Sequence, residues 1–270
     1  VYLEHFKLRE MPFNLTPGTR FLHFTAGHRA ALDYLLFGIR QRKGFIVLVG
    51  EVGAGKTTLC RALLRELRTG FETALILNPR LNETQLLRAI LTELEIPDAR
   101  GDKFSLLEKL NAFLLDKAAC RKDVVLVIDE AQALSLDMLE NIRLLSNLET
   151  EDRKLLQIVL VGQPELKAKL NDHRIRQLRQ RISVYYNLRG MSATDTEQYV
   201  DHRLRIAGAT EELFFEREAL DLVHQYSEGI PRQINNACDM ALLAAYGRGE
   251  QHVGVEAVRG AIDELQEICR

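Results

Sequence analysis

Gly50-Glu51-Val52-Gly53-Ala54-Gly55-Lys56-Thr57 is the stretch of this chain from which its fold is read. It satisfies the pattern G-x-x-x-x-G-K-[ST] in full, and its flanks agree with it. The β-branched run Phe45–Val49 precedes it, and the helix-patterned run Thr58–Leu67 follows. Glycines let the backbone curl so that several N–H groups face one polyphosphate, and the N-terminus of the next helix adds positive potential there. In such a loop Lys56 reaches the β and γ phosphates, and the Thr57 hydroxyl ligates Mg2+. The expected phosphate cradle is therefore Gly50, Glu51, Val52, Gly53, Ala54, Gly55, Lys56, Thr57 and Thr58.

Downstream, the apolar run Val124–Ile128 ends in Asp129-Glu130. A parallel strand would deliver that pair to the carboxyl edge of a sheet, beside the phosphate loop. Asp129 would there complete the Mg2+ shell, and Glu130 would polarise the attacking water. The run Gln157–Val161 ends in Gly162-Gln163, and an amide at the tip of a neighbouring strand can orient that water or sense the γ phosphate. Thr73–Leu77 and Val184–Leu188 are two further strand candidates. All five runs are near-continuously apolar, as in parallel strands covered on both faces, and the intervals are long enough for crossover helices.

After Leu188 the strand pattern stops. Ser192-Ala-Thr-Asp195 opens a helix with a capping box, and further helices are expected over Arg217–Ser227, from near Arg232, and over Val255–Ile268. The third of these carries Ile234, Ala237, Cys238, Ala241, Leu242 and Ala245 along one face. The expected architecture is an α/β domain over 1–190, with 1–28 as an N-terminal linker, followed by an all-helical lid over 191–270.

Composition narrows the function classes. The 270 residues carry 36 Lys and Arg against 38 Asp and Glu, a formal charge of −2, which gives no overall pull toward nucleic acid or anionic lipid. Cys60, Cys120, Cys238 and Cys269 are scattered, without the spacing of a metal site, and fit free thiols in a reducing compartment. No run approaches the ~18 apolar residues of a membrane span, and the start, Val1-Tyr2-Leu3-Glu4-His5, lacks the pattern of a signal peptide. A cytoplasmic location follows as the expectation, with any membrane association supplied by partners.

Together these motifs resemble a known family. The phosphate loop, the Asp129–Gln132 segment (Asp-Glu-Ala-Gln), Gly162–Leu166 (Gly-Gln-Pro-Glu-Leu) and Gly229–Asn235 (Gly-Ile-Pro-Arg-Gln-Ile-Asn) are similar to those of AAA+ ATPases. With Tyr2-Leu-Glu-His-Phe6 and Pro12–Pro17, the chain resembles the group of general secretion pathway protein A and MSHA pilus biogenesis protein MshM. Transposition regulators of the TnsC type share much of the same pattern. The resemblance implies a P-loop NTPase sheet with a helical lid, binding of ATP or ADP with Mg2+, and assembly-stimulated hydrolysis. It implies Gln163 as the γ-phosphate sensor and Arg232 as the lid arginine that touches the nucleotide. A homo-oligomeric ring or filament is implied too, with a trans arginine finger for which Arg181 is the first candidate and Arg179 the second. The implied partners are secretion or pilus assembly proteins at the inner membrane, with DNA as the alternative.

Lys167–Arg181 holds six Lys and Arg against Asp172 alone. That run fits a subunit face, a DNA-contacting surface or a solvated helix face. No aromatic residue interleaves the charges, which argues against stacking on single strands. Phe13, Phe21 and Phe24 are candidates to wall an adenine site or to fill the core. His28 and Arg29 are expected to be helix-boundary residues, and Tyr185 and Tyr186 to pack within a strand.

Overall fold

In the computed structural model of this chain, residues 2–14, 23–150 and 153–268 are described. The chain divides into two compact units. One comprises His28–Gly50 and Gly55–Leu188; the other takes in Val1–Gly27, Glu51–Ala54 and Arg189–Arg270.

The first unit is α/β. After α1 (Tyr2–His5), which belongs to the second unit, come α2 (Ala26–Arg40), β1 (Phe45–Gly50), α3 (Lys56–Glu66), β2 (Phe71–Ile76), α4 (Glu83–Glu93) and α5 (Lys103–Ala119). Then follow β3 (Asp123–Ile128), a 3-10 turn (Ala131–Ala133), α6 (Leu136–Leu145), β4 (Leu156–Gly162), α7 (Pro164–Leu170), α8 (Arg176–Arg181) and β5 (Ile182–Leu188). The five strands form one sheet in the order β2-β3-β4-β1-β5, and every pairing is parallel. This is the parallel sheet that the apolar runs predict. β2 starts two residues before the expected run, and Leu77, at 50% exposure, falls beyond it.

Continuous burial is what the sheet's position demands. All six residues of β1 and all seven of β4 are buried, because helices cover both faces. Phe45, Val47 and Val49 share a core with Leu86, Leu87 and Ile90 of α4 and Leu106 and Leu110 of α5. On α2, a Cβ at Gly38 would lie 2.7 Å from Ile46 Cδ1, so glycine there lets the helix backbone settle onto the sheet. Each fully buried Leu or Ile stabilises this arrangement by ~1.5–3 kcal/mol. β1 lies between the last two strands, and the chain leaves its carboxyl end for the far edge strand β2. Open parallel sheets bind ligands at such a point.

The second unit is helical: α1, then α9 (Ala193–Ile206), α10 (Arg217–Ser227), α11 (Pro231–Gly247) and α12 (Val255–Ile268). Ser192 and Asp195 form the expected capping box at the start of α9. Val200, Leu204, Val223, Ile234, Ala241 and Val258 build its core, and Tyr2, Phe6, Leu8 and Phe13 are buried in it too. The N-terminal stretch is tied down by polar contacts as well. The Tyr2 hydroxyl donates to the Asp239 carboxylate, and His5 Nε2 lies 2.7 Å from the Glu250 carbonyl. Burial, and then Asp239, pushes the Tyr2 hydroxyl well above the usual phenol range.

Two glycines mark a backbone crossing in this unit. The Met191 N–H donates to the Gly229 carbonyl at 2.8 Å. A Cβ on Gly229, whose φ is +73°, would meet the Met191 carbonyl at 2.1 Å, and one on Gly190 would meet that of Glu228 at 2.0 Å. Only glycine fits either place.

Cys60 and Cys238 are buried free thiols and Cys120 an exposed one, while Cys269 lies outside the described residues. Among the described residues no helix is long and apolar enough to cross a membrane.

Candidate functional site

The loop between β1 and α3 is built from three glycines with different tasks. Gly53 (φ +82°) and Gly55 (φ +94°) adopt the left-handed conformation that side chains disfavour. Gly50 stays in ordinary backbone space, but a Cβ there would lie 2.9 Å from the Leu188 carbonyl. A Cβ on Gly55 would lie 3.0 Å from His28 Nε2. His28, expected only as a boundary residue, is thus a buried neighbour of the loop on α2.

Lys56 opens α3 and is buried, with its ammonium donating to the Gly50 carbonyl at 2.8 Å. Thr57 and Thr58 follow in the first turn. The Thr57 hydroxyl donates to Asp129 Oδ2 at 2.7 Å, so the loop and the acidic pair meet directly. Asp129, at 2% exposure, also accepts the Glu130 N–H on Oδ1 at 2.8 Å. Burial, followed by the charge of Asp129, pushes the neighbouring Cys60 thiol far above its ordinary value, so it stays protonated.

Glu130 sits at φ +52°, a conformation that costs a residue with a side chain ~1–2 kcal/mol. Its carboxylate turns toward the tip of β4. Gln163 Nε2 donates to Glu130 Oε2 at 3.1 Å, and Gln132 Nε2 donates to the same oxygen at 2.5 Å. Gln132 Oε1 in turn accepts the Gln163 N–H at 3.1 Å. Gln163, a sequence-level candidate, is thus brought to the acidic pair. Gln132 was visible only as the last letter of a motif, and no residue type or spacing announced that it would grip Glu130.

An oxygen pair such as Thr57 Oγ1 and Asp129 Oδ2 suits Mg2+, which binds few protein ligands and takes the rest from water and substrate phosphates. Among the described residues no group of three or more His, Cys, Asp or Glu side chains could hold a metal by itself. That donor set fits a metal carried in with a nucleotide.

The tip of the loop, Glu51–Ala54, groups with the helical unit. Within it, Val52 is 48% exposed and Ala54 is buried. A Cβ on Gly53 would fall 2.4 Å from Arg232 Cβ, and the Arg232 N–H faces the Gly53 carbonyl at 3.4 Å. The first turn of α11 therefore lies against the loop tip, with the Arg232 side chain exposed.

The two candidate arginines of α8, Arg179 and Arg181, differ. Arg181 donates through Nη1 to Ser146 Oγ at 2.7 Å and Asn147 Oδ1 at 2.5 Å, at the end of α6. Arg179 is exposed. A cavity of about 560 Å3 opens here, lined by His173, Arg174, Arg176, Gln177, Gln180 and Arg181. Arg174 is neutralised by Asp172 at 2.8 Å, a pairing that holds the aspartate well below the usual carboxylate range. Phe13 fills the helical core, edge-on to Phe215; Phe21 lies outside the described residues.

Known proteins bear on this geometry. A family model described as "AAA domain" matches residues 39–170. General secretion pathway protein A of Aeromonas hydrophila is 44% identical over 94% of this chain, which spans 46% of that protein's length. Among solved structures, the Aeropyrum pernix ORC2 protein in its ADPNP-ADP complexes superposes with a TM-score of 0.67 at 19% identity, covering 94% of this chain and 71% of that one. The Pyrobaculum aerophilum CDC6P structure gives 0.68 at 20% identity, covering 94% and 70%. At that identity the likeness is one of fold.

Proposed function

We propose that this chain is an AAA+ ATPase in the branch of general secretion pathway protein A, and that it hydrolyses ATP with Mg2+ to drive or regulate assembly of a bacterial secretion or pilus complex. The observation that carries the proposal is the 2.7 Å bond between Thr57 and Asp129, with Glu130 next in sequence and gripped by Gln163. It supports a single centre for the phosphate loop and the acidic pair.

On this reading the loop amides and Lys56 bind the β and γ phosphates, and Arg232, whose N–H faces the Gly53 carbonyl, is the arginine that touches the nucleotide. Thr57 and Asp129 would hold Mg2+, whose charge offsets that developing on the transferred phosphoryl group. Glu130 orients and deprotonates the attacking water. Gln163 holds the Glu130 carboxylate and senses the γ phosphate from the tip of β4. A neighbouring subunit in a homo-oligomer contributes the stabilising arginine, and the exposure of Arg179 favours it over the engaged Arg181.

Phosphate release measured on wild type, Lys56→Ala and Glu130→Gln tests the chemistry. Loss of turnover in both variants is expected; wild-type rates in both would end the proposal. The basic run of α7 and α8 supports a second reading, an ATP-dependent DNA-binding regulator of the TnsC type. Retention on duplex DNA that requires ATP and falls steeply with salt would favour it. No retention at low salt would dismiss it.

A further inference from the structure

Glu130 takes part in a chain of contacts that leads away from the phosphate loop. Gln132 spends its side-chain amide at both ends, donating to Glu130 Oε2 and accepting the Gln163 N–H. Room for that amide comes from Gly162, where a Cβ would lie 2.9 Å from Gln132 Oε1. Beyond Gln132 stands Lys169 on α7. Its ammonium donates to the carbonyls of Gln132 at 2.5 Å and Leu134 at 2.7 Å. A short 3-10 turn leaves carbonyls at its end without partners of their own, and an ammonium there makes charge-assisted bonds. Lys169 is half-buried, whereas Lys167, Arg176 and Arg179 of the same basic run are exposed. This lysine therefore belongs to the interior of the unit, not to its charged face.

We propose that Gln132 and Lys169 are positioning residues that form a strut from α7 to Glu130, so that the placement of α7 sets the orientation of the water-activating carboxylate. The proposal rests on the assignment of Glu130 as the residue that polarises the water. The left-handed backbone at Glu130 makes the strut necessary, since a residue in that conformation relies on its surroundings to stay there. Without Lys169 the turn loses its two outer bonds, Gln132 keeps only the Gln163 N–H to fix its side chain, and its hold on Oε2 loosens. Binding of nucleotide, which depends on the loop and Lys56, does not pass through the strut. The expected signature is a fall in kcat without a matching change in affinity.

The test compares Lys169→Met, Lys169→Arg, Gln132→Ala and the Gln132→Ala/Lys169→Met pair with wild type and Glu130→Gln. Steady-state phosphate release gives kcat, and fluorescence titration with mant-ATP gives affinity. Lys169→Met is expected to lose ~10-fold or more in kcat, because small misplacements of a catalytic group are costly, with mant-ATP affinity within about twofold of wild type. Lys169→Arg, whose guanidinium can also bridge two carbonyls, is expected to recover most of the rate. The double variant is expected to be no slower than the slower single one, since both act through one connection. A Lys169→Met enzyme at wild-type rate beside a dead Glu130→Gln enzyme would overturn the strut alone. Additive losses in the pair would overturn it too, as would a lost rate that Arg does not restore and that comes with a lowered melting temperature. Wild-type turnover in Glu130→Gln would instead remove the assignment on which the strut rests.

Discussion

At the scale of single residues, the site is held by glycines that make room and by amides that grip. Glu130→Gln is expected to lower kcat by ~100-fold or more, the usual scale for a general base, while mant-ATP still binds. Gly229→Ala is expected to destabilise the protein by more than ~2 kcal/mol, because the methyl group would overlap the Met191 carbonyl and φ is +73°. A thermal melt several degrees below wild type is the check. The residues legible from sequence were those whose chemistry forces both type and spacing: Gly50 to Thr57, then Asp129 and Glu130. Gln132 and Lys169 were not legible. An amide and a lysine serve many ends, and only the meeting of the 3-10 turn with β4 and α7 gives these two their task.

The elements themselves were legible almost to the residue wherever burial is complete. β1 and β4 read as apolar runs because both faces are covered; β2, an edge strand with a mixed burial pattern, was read two residues too late. That edge has its own electrostatic fastening. Glu72 lies between Lys117 at 2.9 Å and Lys122 at 3.0 Å. The hydrogen bond from Lys117, then that from Lys122, holds its carboxyl below the usual carboxylate range. A depressed folded-state value means that the stabilisation is present in full above the ordinary glutamate pKa, ~4.3. It is then lost as pH falls through the lower folded value. Glu72→Gln should therefore melt a degree or two below wild type near neutral pH, and the gap should close as pH drops below about 4. At the start of α9, Ser192→Ala removes one half of the capping box. It is expected to cost ~1 kcal/mol, read as a lower melting temperature.

For the whole molecule, turnover per subunit is expected to rise with protein concentration if catalysis needs a neighbour's arginine. Mixing settles it. Arg179→Ala and Glu130→Gln proteins, each inactive alone, should regain partial turnover when combined, because some interfaces then pair an intact Glu130 with an intact Arg179. Recovery with Arg181→Ala but not with Arg179→Ala would move the role to Arg181. The grouping of Tyr2, Phe6, Leu8 and Phe13 with helices far downstream could not be read from local pattern, since those contacts join the two ends of the sequence. The same long reach governs β1. Phe45 pairs with Ile158 on one side and Ile182 on the other, so the strand that bears the phosphate loop has no partner until β4 has been synthesised. At ~5–20 residues per second, that leaves a bare apolar ribbon at the ribosome for on the order of ten seconds. A nascent chain of this kind invites capture by chaperones before it can bind its first nucleotide.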